Sequence, residues 1–180
     1  MMSCAKALMS DFEKSFLDPQ FSDFVLLCQG EEVQVHKFVL SSRSPVFAAM
    51  FQSQMSENVK GEMTIDDVEK DVLKELLRYM YSAKVDASFA KFQELLIVAD
   101  KYQVEELIKY CGLKLAESLN KDNAFQIGSF AELHNAEALM KTCVRYILNN
   151  QHDNLHKNWK DLVKGSPKMI EMIQYLLDDN

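Results

Sequence analysis

Between Phe21 and Phe51 the hydrophobic pattern changes period, and the changes mark out successive elements. Phe24-Val25-Leu26-Leu27-Cys28 is a nearly continuous apolar run, the pattern of a short strand covered on both faces. Gln29-Gly30-Glu31-Glu32 is a polar turn with a glycine able to take positive φ. Val33-Gln34-Val35-His36 alternates apolar and polar, which predicts a half-buried strand paired back on the first as a hairpin. Ser44-Pro45 opens a helix, with Ser44 able to cap it and Pro45 suited to its first position. Val46, Phe47, Met50 and Phe51 then share one helical face.

The rest of the chain reads mainly as helix. Ser3 to Leu17 carries an apolar stripe of Leu8, Phe12 and Phe16 and is stopped by Asp18-Pro19. Gln52 to Asn58 is a polar loop holding Met55, and Glu62 to Asp66 alternates as a third strand. Val72, Leu73, Leu76, Leu77 and Met80 give a helical face that runs through Tyr81, while Lys84-Val85 is too short to assign from pattern. Phe89, Phe92, Leu95, Leu96 and Ala99 predict the next helix, and Val104, Leu107, Ile108, Cys111 and Leu115 another. A strand-rich start wrapped by helical hairpins is an α+β arrangement. Asn120-Lys121-Asp122-Asn123 is rich in capping residues and is taken as a domain boundary. Beyond it, helices are expected over Ala124 to Leu133 and Ala136 to Leu148, with Ile127, Phe130, Leu139, Cys143 and Ile147 inward. A further pair is expected around Trp159 to Val163 and from Pro167 through Leu177. The division is therefore an N-terminal helix (1–18), a first domain (19–119) and a helical extension (120–180).

Charge and composition narrow the function. A net charge of -7 argues against electrostatic binding of nucleic acid or of an anionic membrane. No apolar run approaches the ~20 residues that span a bilayer. Cys4, Cys28, Cys111 and Cys143 are scattered, as in a reducing compartment, so nucleus or cytoplasm is expected. Signs of enzyme chemistry are sparse. The chain has no P-loop, dinucleotide fingerprint or Gly-x-Ser-x-Gly elbow. His152 and His156 are spaced to share a helical face, but Asp153 stands where the metalloprotease pattern needs glutamate and no third ligand is evident, so no metal site is expected. His36 reads as a boundary histidine, Gly128 as a packing site, and the ten methionines as adaptable core.

Taken in order, Phe21-Ser22-Asp23, His36-Lys37, Leu40, Arg43-Ser44-Pro45-Val46-Phe47 and Met50-Phe51 resemble the opening signature of a BTB/POZ domain, and Asp100-Lys101-Tyr102 resembles its late helix. The chain looks closest to the speckle-type POZ proteins, substrate adaptors of cullin ubiquitin ligases. This resemblance implies an α+β BTB/POZ fold followed by an all-α BACK-like extension. It also implies a non-enzymatic, cofactor-free homodimer that binds the cullin-3 N-terminal domain and supports substrate ubiquitination. Met55 and Glu57 match the hydrophobic-x-Glu grip on cullin, an apolar anchor beside a carboxylate, and Trp159 falls in the extension that widens that contact. Leu8, Phe12 and Phe16 either fold back on their own domain or, as the family suggests and as is expected here, pack across a two-fold axis. Val39 is expected to join that interface, with plain core as the alternative, and Asp23 and Lys37 resemble paired charges at the dimer base.

Two departures stand out. The family usually shows Tyr-Thr-Gly where this chain has Tyr81-Ser82-Ala83. Speckle-type adaptors carry a substrate-binding MATH domain ahead of the BTB domain, where this chain has only its first helix; a short form able to pair with MATH-BTB relatives is one expectation. The alternative is a BTB dimerisation platform for transcriptional corepressors, although the zinc-finger ligand array such chains usually carry is missing. A channel-type tetramerisation domain is disfavoured because no membrane segment follows.

Overall fold

Strand β1 (Phe24–Cys28) is the middle of a three-stranded sheet of order β2-β1-β3. The computed structural model describes residues 2–16, 18–52, 60–150 and 166–178. Strand β2 (Glu31–Val35) runs antiparallel to β1, with Phe24 opposite Val35 and Cys28 opposite Glu31. Only Gln29 and Gly30 lie between them, both at positive φ (50° and 80°), as a type I′ hairpin turn requires. The turn is thus tighter than the polar run predicts, and Glu31 and Glu32 belong to the strand. Phe24, Leu26, Cys28, Val33 and Val35 bury one face of this pair. Val25 and Leu27 on the other face are half-buried, so the unbroken apolar run does not mean full cover on both sides.

Strand β3 (Glu62–Ile65) pairs parallel with β1, placing Ile65 beside Cys28. A parallel neighbour needs a crossover, and α2 (Lys37–Arg43) and α3 (Pro45–Gln52) lie within it. Ser44 organises that crossover. Its Oγ accepts the Phe47 N–H at 3.1 Å and donates to the Tyr102 carbonyl at 2.6 Å, while Pro45 takes the first helical position. Phe47 stacks flat on Tyr102, with ring centroids 4.6 Å apart.

Helix α1 (Met2–Lys14) packs on α4 (Lys70–Ser82), whose apolar face is buried along Val72, Leu73, Leu76, Leu77 and Met80. Helix α4 ends at Ala83, which sits at φ 54° and donates its N–H to the Tyr79 carbonyl at 2.8 Å. An alanine therefore holds the left-handed position where the family usually has glycine, and the turn survives. The next segment forms no strand at Lys84-Val85. It is pinned by charge instead. The Glu75 carboxylate, on a residue only 4% exposed, accepts from the Asp86 N–H and from Arg78 Nε at 3.1 Å. Lys91 reaches Asp71 at 2.9 Å and also Glu69. Asp86 accepts the Ser88 N–H and Phe89 donates back to the Asp86 carbonyl, so a local turn holds Phe89 outside α5 (Phe92–Lys101).

The chain divides into two compact units, Met1–Val104 and Glu105–Asn180. The division falls earlier in the sequence than the Asn120–Asn123 junction, where the two asparagines bond each other's backbone instead of capping the next helix. The second unit contains α6 (Glu105–Ala116), α7 (Ala124–Leu133), α8 (Glu137–Asn149) and α9 (Pro167–Asp178). Ile127, Leu139, Cys143 and Ile147 point inward as their spacing predicts, whereas Phe130 is only half-buried, against His134. Helix α9 docks through two contacts. A Cβ on Gly128 would lie 2.6 Å from Met169 Cε, so the missing side chain is the space Met169 fills. The Glu132 carboxylate accepts the Lys168 and Met169 N–H groups at 3.0 and 3.1 Å, satisfying the open amides at the start of α9.

Candidate functional site

Three segments far apart in sequence meet at one corner of the first unit. His36 closes β2, Tyr81 lies near the end of α4, and Gln20 sits in the turn after α1. The Gln20 carbonyl can only accept, so at 2.9 Å it takes the His36 Nε2 proton. That leaves Nδ1 as an acceptor for the Tyr81 hydroxyl at 2.8 Å, and the same hydroxyl accepts the His36 N–H at 2.9 Å. Burial pushes the Tyr81 phenol up to about 12, with the Asp23 charge adding to the rise and the His36 N–H opposing it. His36 is therefore a hydrogen-bonded boundary histidine, as its position at a strand end predicts.

The end of α1 joins this corner. The Phe16 ring lies 5.8 Å from that of Tyr81, the Arg78 guanidinium is 5.2 Å from the Phe16 centroid, and Glu13 pairs with Lys84 at 2.6 Å. Phe16 thus covers its own chain, while Met9 and Phe12 remain exposed on α1; the Leu8 side chain lies outside what is described. The Asp23 carboxylate meets Lys37 at its backbone N–H, at 2.7 Å, on the first turn of α2. The Lys37 ammonium stands 5.2 Å and 5.5 Å from the Phe24 and Phe51 ring centroids. Val39, at 8% exposed, is core within its own chain.

Two aromatics that the pattern did not mark as surface flank His36. Phe21, next to Gln20, is 85% exposed and held at φ 64°, a left-handed conformation uncommon for a bulky residue. Phe38, two residues past His36, is 69% exposed. Helix α2 is too short for periodicity to assign Phe38 a face, and Phe21 was visible only as the first letter of a motif. Exposed aromatics beside a part-buried polar joint suit contact with another protein. Met55, Glu57 and Trp159 lie outside the described residues, as do His152 and His156. Among the described residues, no cluster of three or more His, Cys, Asp or Glu could hold a metal ion, and no helix is long and apolar enough to cross a membrane.

The model of the BTB/POZ domain matches residues 12–119. The chain belongs to the BTB/POZ family. BTB domains are protein-interaction modules, generally non-enzymatic, and commonly self-associate. Among curated proteins, the chain is 34% identical to the Caenorhabditis elegans protein maternal effect lethal 26, covering 95% of this chain and 44% of that one. It is 34% identical to the Arabidopsis thaliana BTB/POZ domain-containing protein At4g08455, over 89% and 68%. It is 32% identical to the Mus musculus TD and POZ domain-containing protein 4, over 91% and 45%. The chain thus spans less than half of the nematode and mouse relatives. Among solved structures, the BTB domain of zebrafish PATZ1 matches with a TM-score of 0.56 at 20% identity, covering 66% of this chain and 96% of that one. The BTB domain of human gigaxonin matches at 0.51 and 24%, over 59% and 86%. Both support the fold: a small sheet with many helices.

Proposed function

We propose that this BTB chain is a homodimeric adaptor of the speckle-type kind, coupling a cullin-3 scaffold to proteins destined for ubiquitination. The observation that carries the dimer is the exposure of Met9 and Phe12 on α1 and of Phe21 and Phe38, within two residues of Gln20 and His36 in sequence, in a family whose members commonly self-associate. A second copy would cover that set, with Leu8 and Phe16 extending the α1 side. Asp23 and Lys37 would steady the base of the interface by fixing the first turn of α2. Met55 and Glu57 would meet the cullin-3 N-terminal domain as an apolar anchor beside a carboxylate, and Trp159 would extend the contact. The mouse relative, whose name pairs a TD with a POZ domain, makes mixed dimers with MATH-BTB proteins a natural extension of the same reading.

Two measurements test this. Sedimentation should give a dimer mass, and Phe12→Asp/Phe38→Asp should give a monomer that keeps its helical circular dichroism. Calorimetric titration with a cullin-3 N-terminal domain should show binding that Met55→Ala/Glu57→Lys abolishes. An intact dimer that ignores the cullin domain would overturn the scaffold reading and turn attention to a corepressor platform.

A further inference from the structure

The second unit carries a groove lined by none of the residues named above for dimerisation or scaffold binding. Between α7, α8 and α9 runs a solvent-open groove of about 680 Å³. Met140 and Met172 line it, and Tyr175 forms a lip. Tyr175 is exposed, as is Leu133 at the end of α7, so apolar surface continues beyond the groove. Glu132, Glu137 and Glu171 stand in its lining together with Lys168. These carboxylates are not equivalent. Glu132 is occupied by the α9 amides, and Glu137 is ion-paired with Lys141 at 2.5 Å. Glu171 is exposed and has no hydrogen-bonded or ion-paired partner among the described residues.

We propose that this groove receives a short segment of a partner protein in which a leucine-like side chain stands next to a lysine or arginine. Two methionines provide a lining that reshapes around an incoming aliphatic group, and a tyrosine at the lip offers a rigid apolar wall with a polar tip. The neighbouring cation meets Glu171, the carboxylate of this lining that is left without a partner among the described residues. An open groove with carboxylates along its lining suits an extended peptide better than a small molecule, which binds in enclosed, mostly apolar cavities. The inference is independent of the cullin reading, because none of these residues belongs to that contact.

The full chain, labelled with 13C at its methionine methyl groups, is titrated with N-acetyl-Leu-Arg-amide and, separately, N-acetyl-Leu-Glu-amide. Met140→Leu and Met172→Leu identify the two signals. The arginine peptide should shift both and saturate in the millimolar range, the strength of a small fragment with few contacts. The glutamate peptide should bind about fivefold more weakly, one attraction lost and one repulsion added at an exposed carboxylate. Glu171→Lys should remove or invert that preference. The proposal is overturned if neither signal moves, if both peptides act alike, or if Glu171→Lys leaves the preference unchanged.

Discussion

The two units are fastened by different means. In the first, the joints are hydrogen bonds that tie separate segments together: Ser44 with the Tyr102 carbonyl, which is buried, and His36 with Tyr81 and Glu75 with the Asp86 N–H, which are part-buried. In the second, neighbouring helices pack as hairpins, and α9 is held by a methionine in a glycine gap and one carboxylate at its amino end. A buried polar joint fails when one partner is removed, because the other is left unsatisfied. A packed joint fails when volume is added or taken away. The first unit should therefore respond to polarity and the second to size.

Alkaline pH should have the largest effect, since it acts on both units together. Burial pushes Tyr81 and Tyr102 in the first unit up to about 12, from an ordinary 10.0. Burial likewise pushes Cys111 and Cys143 in the second up to about 12, from 9.0. The folded chain keeps these protons where the unfolded chain has released them, so the stabilisation is complete below the ordinary values and is lost as pH climbs toward 12. Urea midpoints measured from pH 8 to 12 should begin to fall near 9 through the thiols and steepen above 10 through the phenols. Cys111→Ala/Cys143→Ala should shrink the first phase to what the Cys28 thiol, also raised by burial, contributes, and leave the second.

Next in size is Glu75→Ala, which should cost about 3 kcal/mol by leaving Arg78 and the Asp86 amide without their shared acceptor. Urea denaturation gives the value, and hydrogen exchange should place the loss in the first unit, around residues 84–91. Smaller again is Gly128→Ala, which should cost about 1–2 kcal/mol by crowding Met169. Its signature is coupling. In a double-mutant cycle Met169→Ala should relieve most of that cost, whereas Met169→Ala should leave the cost of Glu75→Ala unchanged. If the Glu75 cost proves equally sensitive to Met169→Ala, the contrast between the units fails.

What could be read from sequence follows the same divide. The hairpin, the Ser44-Pro45 start and the inward positions of α7 and α8 were legible because each depends on residues within a few positions of one another. The parallel pairing of β3 with β1 was not, since alternation identifies a strand but not its neighbour. Glu75 looked like one more polar residue of an amphipathic helix. Arg78 three residues on is an ordinary surface spacing, and its other partner, the Asp86 N–H, is backbone and leaves no trace in side-chain pattern. At the candidate site, Phe16 and Asp23 stood out in the sequence, but not their neighbour Tyr81, which read only as the end of a helical face. Val39, weighed as interface or core, is buried within its own chain.

Ala83 carries a consequence for sequence drift. An L-residue in the left-handed region gives up about 1 kcal/mol relative to glycine, yet the turn at the end of α4 keeps its shape and its hydrogen bond to Tyr79. The geometry stands without the residue that makes it easy, and Glu75 and Lys91 hold the segment that follows. A search keyed to glycine at that position would pass over this chain, while Ala83→Gly, a change of one codon, would ease the turn.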